Sequence, residues 1–452
     1  MLSNIREKIK NKHFLSLAGN GVMSLLGMAT VALLYRALSL NDIGVWVFFQ
    51  TTVLLVDTFR SGFLTTAFIK FYAGATPQRS AEVAGSAWYI AICITGILAV
   101  LNAPAFLFLH HISNPGLLLF CKWFGVAFIC TLPTFMATCV LQGEQRFDRM
   151  LYIRFINQGS FILLVAALMV LHKASLQTNI YAYLISSLLT SVFAIVAGWS
   201  GIRHFARRSK ESIHELFHFG KYSVGTTLSS NLFRTSDTYI INFMLGAPAL
   251  AVYNIGSRLM EIVEIPLRSF AATGMPELSA AYNSHRSSEV ITVMKKYAGM
   301  LTVALVPAFI AAVLCADVAV ALIGGGKYAH TEAANVLRIF MGFALLYPAD
   351  RFFALTIDVI HQPKINFIKV LIMLAGNILG DFAGVWLFGN IYGVALATVV
   401  PILIGVLVGN WALQRYHPFR FFSIFSTGFA DVKTLIKNWL PKRNMAEQIA
   451  LK

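Results

Sequence analysis

Long apolar segments follow one another along this sequence and restrict its fold more than any other feature. A helix needs about 20 mostly apolar residues to cross the hydrocarbon core of a bilayer. Twelve segments that meet this requirement occur within the 452 residues. Backbone polar groups find no water in lipid, so spanning segments of this length form helices. The sequence therefore predicts an all-α integral membrane protein with about twelve transmembrane helices.

The predicted spans cover residues 14–35, 43–66, 83–109, 117–141, 150–171, 180–202, 217–245, 250–275, 297–314, 333–360, 365–388 and 391–414. Cytoplasmic segments of membrane proteins collect Lys and Arg. When the N-terminus is placed inside, the basic loop before the seventh span and the basic tail both fall on the cytoplasmic side. We therefore expect both termini in the cytoplasm.

The composition excludes the soluble classes of protein. Hydrophobic residues make up 57% of the chain and charged residues 12%, whereas a soluble domain carries about 25% charged residues. A net charge of +16 would suggest nucleic acid in a soluble chain. Here the basic residues lie between apolar segments, which indicates a membrane and no nucleic-acid partner. The five cysteines form no CxxC pair, so we interpret them as small apolar residues rather than metal ligands.

Charge and hydropathy divide the chain into five parts. They are a basic cytoplasmic N-terminus (1–13), an N-lobe with six spans (14–202), a basic cytoplasmic linker (203–216), a C-lobe with six spans (217–415) and a basic tail (416–452). The tail is too polar to span a bilayer. It has two interpretations, an amphipathic helix on the anionic inner leaflet or a disordered segment.

The two predicted lobes resemble each other when the sequence is shifted by 207 residues. The pairs that the shift superimposes include Leu38 with Leu245, Trp46 with Tyr253 and Asp57 with Glu264. Six spans is an even number, so the copies would enter the membrane with the same orientation. A parallel repeat of this kind is typical of transporters whose substrate binds between the halves.

Ionisable residues inside membrane spans are costly and usually face a wet cavity or the interior of the helix bundle. We predict that five arginines bind the phosphate groups of a substrate, because guanidinium groups match phosphate oxygens and stay charged. They are Arg60, Arg234, Arg258, Arg268 and Arg351. Arg60, Arg268 and Arg351 lie at similar depth and would form an opening to the inner leaflet, with Arg234 and Arg258 deeper.

Six carboxylates within the spans are candidates for ion coupling. They are Asp57, Asp237, Glu261, Glu264, Asp350 and Asp381. The alternative interpretation is structural, because several of these acids lie three residues from an arginine and could pair with it on the same helix. The energy source stays open between H⁺, Na⁺ and the membrane potential, and no cofactor or metal is expected. The sequence lacks GxxxxGK[ST] and GxSxG motifs, so we do not expect an enzyme.

Two stretches of the chain resemble a known family. The residues that carry the resemblance are Tyr35-Arg36-Ala37-Leu38, Asp42-Ile43-Gly44-Val45-Trp46, Gly220-Lys221-Tyr222, Asp237-Thr238-Tyr239-Ile240-Ile241, Leu245-Gly246, Tyr253-Asn254-Ile255, Ile265-Pro266-Leu267 and Pro276-Glu277-Leu278. They are similar to the bacterial oligosaccharide flippases of the Wzx or O-antigen type, members of the multidrug/oligosaccharidyl-lipid/polysaccharide (MOP) superfamily. The resemblance covers about residues 14–415.

The resemblance implies alternating access between two lobes around a cationic cavity. The substrate would be an undecaprenyl-pyrophosphate-linked oligosaccharide, carried across the bacterial inner membrane for surface polysaccharide synthesis. Membrane lipid and other polysaccharide-assembly proteins are the implied partners. Two alternatives remain, a cation-coupled multidrug exporter of the MATE branch and a membrane glycan polymerase or ligase. The first should have an acidic or apolar cavity, and the second a large outer catalytic loop.

Overall fold

The computed structural model describes residues 12–329 and 331–439, and within them the regular structure is entirely helical. The helices are α1 (Lys12–Ala37), α2 (Leu40–Tyr72), α3 (Pro77–Asn102), α4 (Pro115–Gly143), α5 (Phe147–Val170), α6 (Leu176–Val196), α7 (Lys210–Met244), α8 (Ala247–Asn283), α9 (Ser287–Gly324), α10 (Ala333–Ala344), α11 (Tyr347–Val359), α12 (Pro363–Phe388), α13 (Ile391–Ala397), α14 (Val399–Tyr416) and α15 (Ser423–Trp439). Short 3₁₀ turns include Ile202–Arg207 and Gly326–Tyr328. This confirms the predicted all-α class.

Eight helical segments of the described part are long and apolar enough to cross a membrane, with α13 and α14 counted together as one segment. The number is nine when the bent pair α10–α11 is also counted as one span. The apolar segment Val22–Ala37 of α1 is shorter than a span. Helices α7 and α8 are long, but charged residues interrupt them. The count of twelve spans and the cytoplasmic position of both termini stay predictions.

The shift of 207 residues reappears in the helix boundaries. Helix α1 ends at Ala37 and α7 ends at Met244, while α2 begins at Leu40 and α8 begins at Ala247. Both pairs of positions differ by 207. The turn between the first two helices of each half is therefore repeated in the structure, as the sequence comparison predicts.

Packing divides the chain into two compact units. The first comprises Met1–Val252 and Ala321–His330, and the second comprises Tyr253–Val320 and Thr331–Lys452. Helix α7 belongs to the first unit, whereas the sequence analysis assigns it to the C-lobe, 217–415. The units are defined by packing and the lobes by a transport cycle, so the lobes stay a prediction. Residues 1–11 of the predicted basic N-terminus lie outside the described residues.

The core of the first unit forms where α2, α3 and α4 meet. Leu64, Phe68, Trp88 and Met136 are buried there in one apolar cluster. The Trp88 indole donates a hydrogen bond from Nε1 to the Ser200 carbonyl at 2.7 Å. That bond satisfies the polar atom of a large buried ring, as buried tryptophans require.

A serine repairs the break that Pro133 makes in α4. Proline lacks an N–H and disturbs the helical ladder around it. Ser191 of α6 donates a hydrogen bond to the Cys130 carbonyl at 2.6 Å and accepts one from the Thr134 amide at 3.3 Å. The hydroxyl thus bridges two backbone groups of α4 that would otherwise bond to each other, and α4 continues through the proline.

The second unit contains broken helices. Helices α10 and α11 meet at an angle of 46°, and Pro348 lies in the first turn of α11. A proline in this position cannot continue the hydrogen-bonding ladder of the preceding helix, which accounts for the bend. Helix α12 approaches α13 very closely, since a Cβ placed on Gly384 would lie 2.3 Å from the Gly393 carbonyl oxygen. Small residues permit such backbone contact between membrane helices.

The tail forms helix α15 and packs against α9. A Cβ placed on Gly428 would lie 2.0 Å from the Gly299 carbonyl carbon, and Ile424 is fully buried. The disordered interpretation is therefore wrong for Ser423–Trp439, and residues 440–452 lie outside the described part. A position of this helix on the inner leaflet stays a prediction.

Candidate functional site

Arg60 lies buried in the first unit and donates hydrogen bonds to three protein groups. Its Nε donates to the Asp57 carboxylate at 3.0 Å, its Nη1 to the Phe128 carbonyl at 3.1 Å and its Nη2 to the Thr131 hydroxyl at 3.1 Å. The guanidinium also lies 4.3 Å from the centre of the Phe128 ring and 4.8 Å from that of Phe135. All three nitrogens are engaged, so Arg60 connects α2 to α4 in this conformation.

Four charged residues form what we call the α8 charge stripe, namely Arg258, Glu261, Glu264 and Arg268. Arg258 Nη1 lies 2.7 Å from Glu261 Oε1, and Arg268 forms an ion pair with Glu264 one turn further along. These four side chains are well exposed, and that of Arg268 is 67% exposed. Ion pairs within a membrane span require water around them, so the stripe would suit a cavity wall if α8 spans the membrane, as the sequence predicts.

Two of the five predicted arginines differ from the others, because no partner for either of them lies within the described part of the chain. Arg234 on α7 and Arg351 on α11 are both exposed. Among the described residues, neither has a hydrogen-bond or ion-pair partner. The pairing of Arg234 with Asp237 that the spacing allowed does not form. Asp237 is half-buried and interacts with other groups.

The neighbour of Arg351 is paired with a residue that the sequence analysis overlooked. Lys369 on α12 is 2% exposed, and its Nζ lies 2.8 Å from Asp350 Oδ1. A lysine within the predicted span 365–388 was the available signal. Only the packing of α12 beside α11 shows that it contacts Asp350.

Asp381 is the most buried of the predicted carboxylates. It is fully buried on α12 and accepts a hydrogen bond from Asn377 Nδ2 at 3.2 Å. No group of three or more His, Cys, Asp or Glu side chains in the described part of the chain is placed to hold a metal ion. The part of Asp381 in ion coupling stays a prediction.

The structure thus brings the predicted residues together in pairs. The pairs are Asp57 with Arg60 in the first unit, and Arg258 with Glu261 and Glu264 with Arg268 in the second. The opening formed by Arg60, Arg268 and Arg351 stays a prediction, because these residues belong to different units.

Comparison with known proteins adds a family and a fold. A model of the family described as "Polysaccharide biosynthesis protein" matches residues 33–333. The probable low-salt glycan biosynthesis flippase Agl15 of Haloferax volcanii is 20% identical over 322 residues, which cover 70% of this chain. The matched part spans 66%, just under two thirds, of that relative's length.

Solved structures share the architecture at low identity. An inward-facing multidrug resistance MATE family transporter of the MOP superfamily gives a TM-score of 0.72 at 16% identity, covering 87% of this chain and 95% of its own. The lipid II flippase MurJ in an inward closed conformation gives 0.72 at 15%, covering 95% and 93%. A MOP-superfamily transporter from Pyrococcus furiosus gives 0.57 at 17%, covering 89% and 94%. Because the family model covers most of the chain, this protein belongs to the polysaccharide biosynthesis protein family, and it has the fold of the MOP-superfamily transporters.

Proposed function

We propose that this protein is a flippase that moves an undecaprenyl-pyrophosphate-linked oligosaccharide across a bacterial inner membrane. The observation that carries the proposal is the exposure of Arg234 and Arg351, neither of which pairs with a carboxylate of residues 12–329 or 331–439. A charged side chain at membrane depth is costly unless an opposite charge or water stabilises it. A pyrophosphate group is an anion that a guanidinium group can bind with matched geometry.

The other predicted residues have different parts in this proposal. Arg258 and Arg268 are paired within the α8 charge stripe, so a phosphate would have to replace Glu261 or Glu264 to bind there. Arg60 connects α2 to α4 in this conformation, and its part as a phosphate ligand stays a prediction. Asp57, Asp237, Glu261, Glu264, Asp350 and Asp381 remain candidates for H⁺ or Na⁺ coupling.

A drug exporter of the MATE type shares the fold but fits these charges less well. The unpartnered groups are cations, and they would repel a cationic drug. A lipid-linked glycan has the opposite charge at its pyrophosphate. We also propose membrane lipid and other polysaccharide-assembly proteins as partners.

Complementation of a flippase-deficient strain tests the proposal, with surface glycan as the readout. The wild-type gene should restore glycan, and Arg234→Ala and Arg351→Ala should not, although both proteins reach the membrane. Arg286→Ala is the control. Arg286 is an exposed arginine just before α9, and it pairs with Glu289 in the first turn of that helix. Full glycan from both test variants would contradict the proposal.

A further inference from the structure

Asp350 and Arg351 are neighbours of opposite charge at the start of α11. A carboxylate directly beside an arginine lowers the potential that the arginine offers to an anion. If nothing else acted on Asp350, the two charges would largely cancel for a distant phosphate. The structure prevents this cancellation, because Asp350 is paired elsewhere.

Lys369 pairs with Asp350 from the neighbouring helix α12. The side chain of Lys369 is 3% exposed and that of Asp350 is 26% exposed, with 2.8 Å between Nζ and Oδ1. A buried ammonium group requires an anionic partner. This ion pair therefore orients the carboxylate towards α12.

A glycine on α14 gives the carboxylate the space that it occupies. A Cβ placed on Gly405 would lie 2.4 Å from Asp350 Oδ1. Any larger residue at this position would displace the carboxylate. Helices α12 and α14 thus fix Asp350 together, one by charge and the other by shape.

We propose that Lys369 is a positioning residue that neutralises Asp350, so that Arg351 keeps a full positive charge for the phosphate of the substrate. This inference rests on the proposed function. The three side chains of Asp350, Arg351 and Lys369 sum to one positive charge. Loss of the Lys369 charge would leave the group neutral, and loss of the Asp350 charge would leave two positive charges.

The charge arithmetic gives opposite expectations for the two single variants. Binding of undecaprenyl pyrophosphate to the full-length protein in nanodiscs is the measurement. Asp350→Asn should bind the probe more tightly and Lys369→Gln more weakly, each by roughly tenfold at low salt. The double variant should return to the wild-type affinity, and the differences should shrink at high salt.

A purely structural ion pair predicts a different pattern. Both single variants would then lower the melting temperature and weaken binding in the same direction. The inference is overturned if Asp350→Asn weakens binding or leaves it unchanged. That arm decides the question even if Lys369→Gln does not fold.

Gly405→Ala provides a test without any change of charge. The added methyl group would displace the Asp350 carboxylate from Lys369, so the affinity for the probe should fall. Gly342→Ala is the matched control, since nothing lies within 4 Å of a Cβ placed on Gly342. Equal affinities of the two alanine variants would contradict the fixed position of Asp350.

Arg351→Ala separates a failure of the inference from a failure of the proposed function. If this variant binds the probe as the wild type does, Arg351 is not a phosphate ligand and the proposed site is wrong. If it loses binding while Asp350→Asn and Lys369→Gln change the affinity in the same direction, the site stands and the part assigned to Lys369 is wrong.

Discussion

Arg36, at the end of α1, caps the C-terminus of α9, and Lys327, just after α9, caps the C-terminus of α1. Arg36, at the end of α1, donates from Nη2 to the Leu322 carbonyl at the end of α9, at 2.7 Å. Lys327, just after α9, donates from Nζ to the carbonyls of Arg36 at 3.0 Å and Leu38 at 3.1 Å. Two helix C-termini, each with partial negative charge, are thereby joined by two cations.

This reciprocal capping predicts a loss of stability when either cation is removed. Lys327→Met should destabilise the protein by about 1 kcal/mol, because two terminal carbonyls lose a charged donor. Thermal unfolding in detergent measures the effect. Lys173→Met is the control, since Lys173 is also an exposed loop cation. A Lys327→Met variant as stable as Lys173→Met would contradict the capping.

Removal of the bridge across Pro133 should have a larger effect. Ser191→Ala would leave the Cys130 carbonyl without this donor in a half-buried position, and an unsatisfied buried group costs about 1–3 kcal/mol. Ser186→Ala is the matched control, because Ser186 is equally buried on α6 but bonds only to the Tyr183 carbonyl of its own helix. Equal melting temperatures of the two variants would show that the bridge does not stabilise α4.

The docking of the tail depends on two glycines. Gly428→Leu should separate α15 from α9, because backbone atoms of Gly299 occupy the position of the new side chain. Limited trypsin digestion would detect this as faster cleavage at Lys433 and Lys437. Ala430→Leu adds the same side chain at an exposed position of α15. The docking is wrong if both variants are cleaved at the wild-type rate.

His204, in the 3₁₀ turn before α7, should make stability depend on pH. Burial lowers the pKa of His204, and the neighbouring Arg203 and Arg207 lower this pKa further. Its Nε2 accepts a hydrogen bond from Arg203 at 3.4 Å, which protonation would remove. The unfolded chain then binds more protons than the folded chain below the ordinary histidine pKa of about 6.5.

The contribution of His204 to stability should therefore be fully present above about pH 7 and decrease as the pH falls through about 6.5. Melting temperatures between pH 7.5 and pH 5 measure this contribution. His204→Gln should reduce the dependence on pH, and Arg203→Ala should reduce it in part, because one neighbouring charge is lost. An unchanged pH profile in His204→Gln would exclude His204 as the cause.

The sequence predicts what depends on local pattern. The apolar segments place the helices, and the shift of 207 residues matches the boundaries at Leu40 and Ala247. Ion pairs three residues apart, such as Arg258 with Glu261, follow from helical geometry and are present. These features need only the period of one helix.

Contacts between helices were not predictable in the same way. Arg60 bonds to Thr131, which is 71 residues away in sequence, and Lys369 bonds to Asp350 across two helices. Such contacts depend on which helices pack together and at what rotation. The spacing of Arg234 and Asp237 resembles that of Arg258 and Glu261, yet only the second pair forms. Sequence spacing therefore identified the charged residues but not their partners.

Transport by purified protein in proteoliposomes tests the central claim most directly. The substrate is a fluorescent undecaprenyl-pyrophosphate-linked oligosaccharide, and its movement to the opposite leaflet is followed by loss of protection from a membrane-impermeant quencher. The account predicts rapid movement with wild type and Arg286→Ala. With Arg234→Ala and Arg351→Ala, the rate of movement should fall by roughly tenfold or more, and tenfold is equivalent to about 1.4 kcal/mol. Arg351→Lys should recover only part of the rate, because lysine keeps the charge but loses the planar fork. Wild-type rates in both alanine variants would contradict the account.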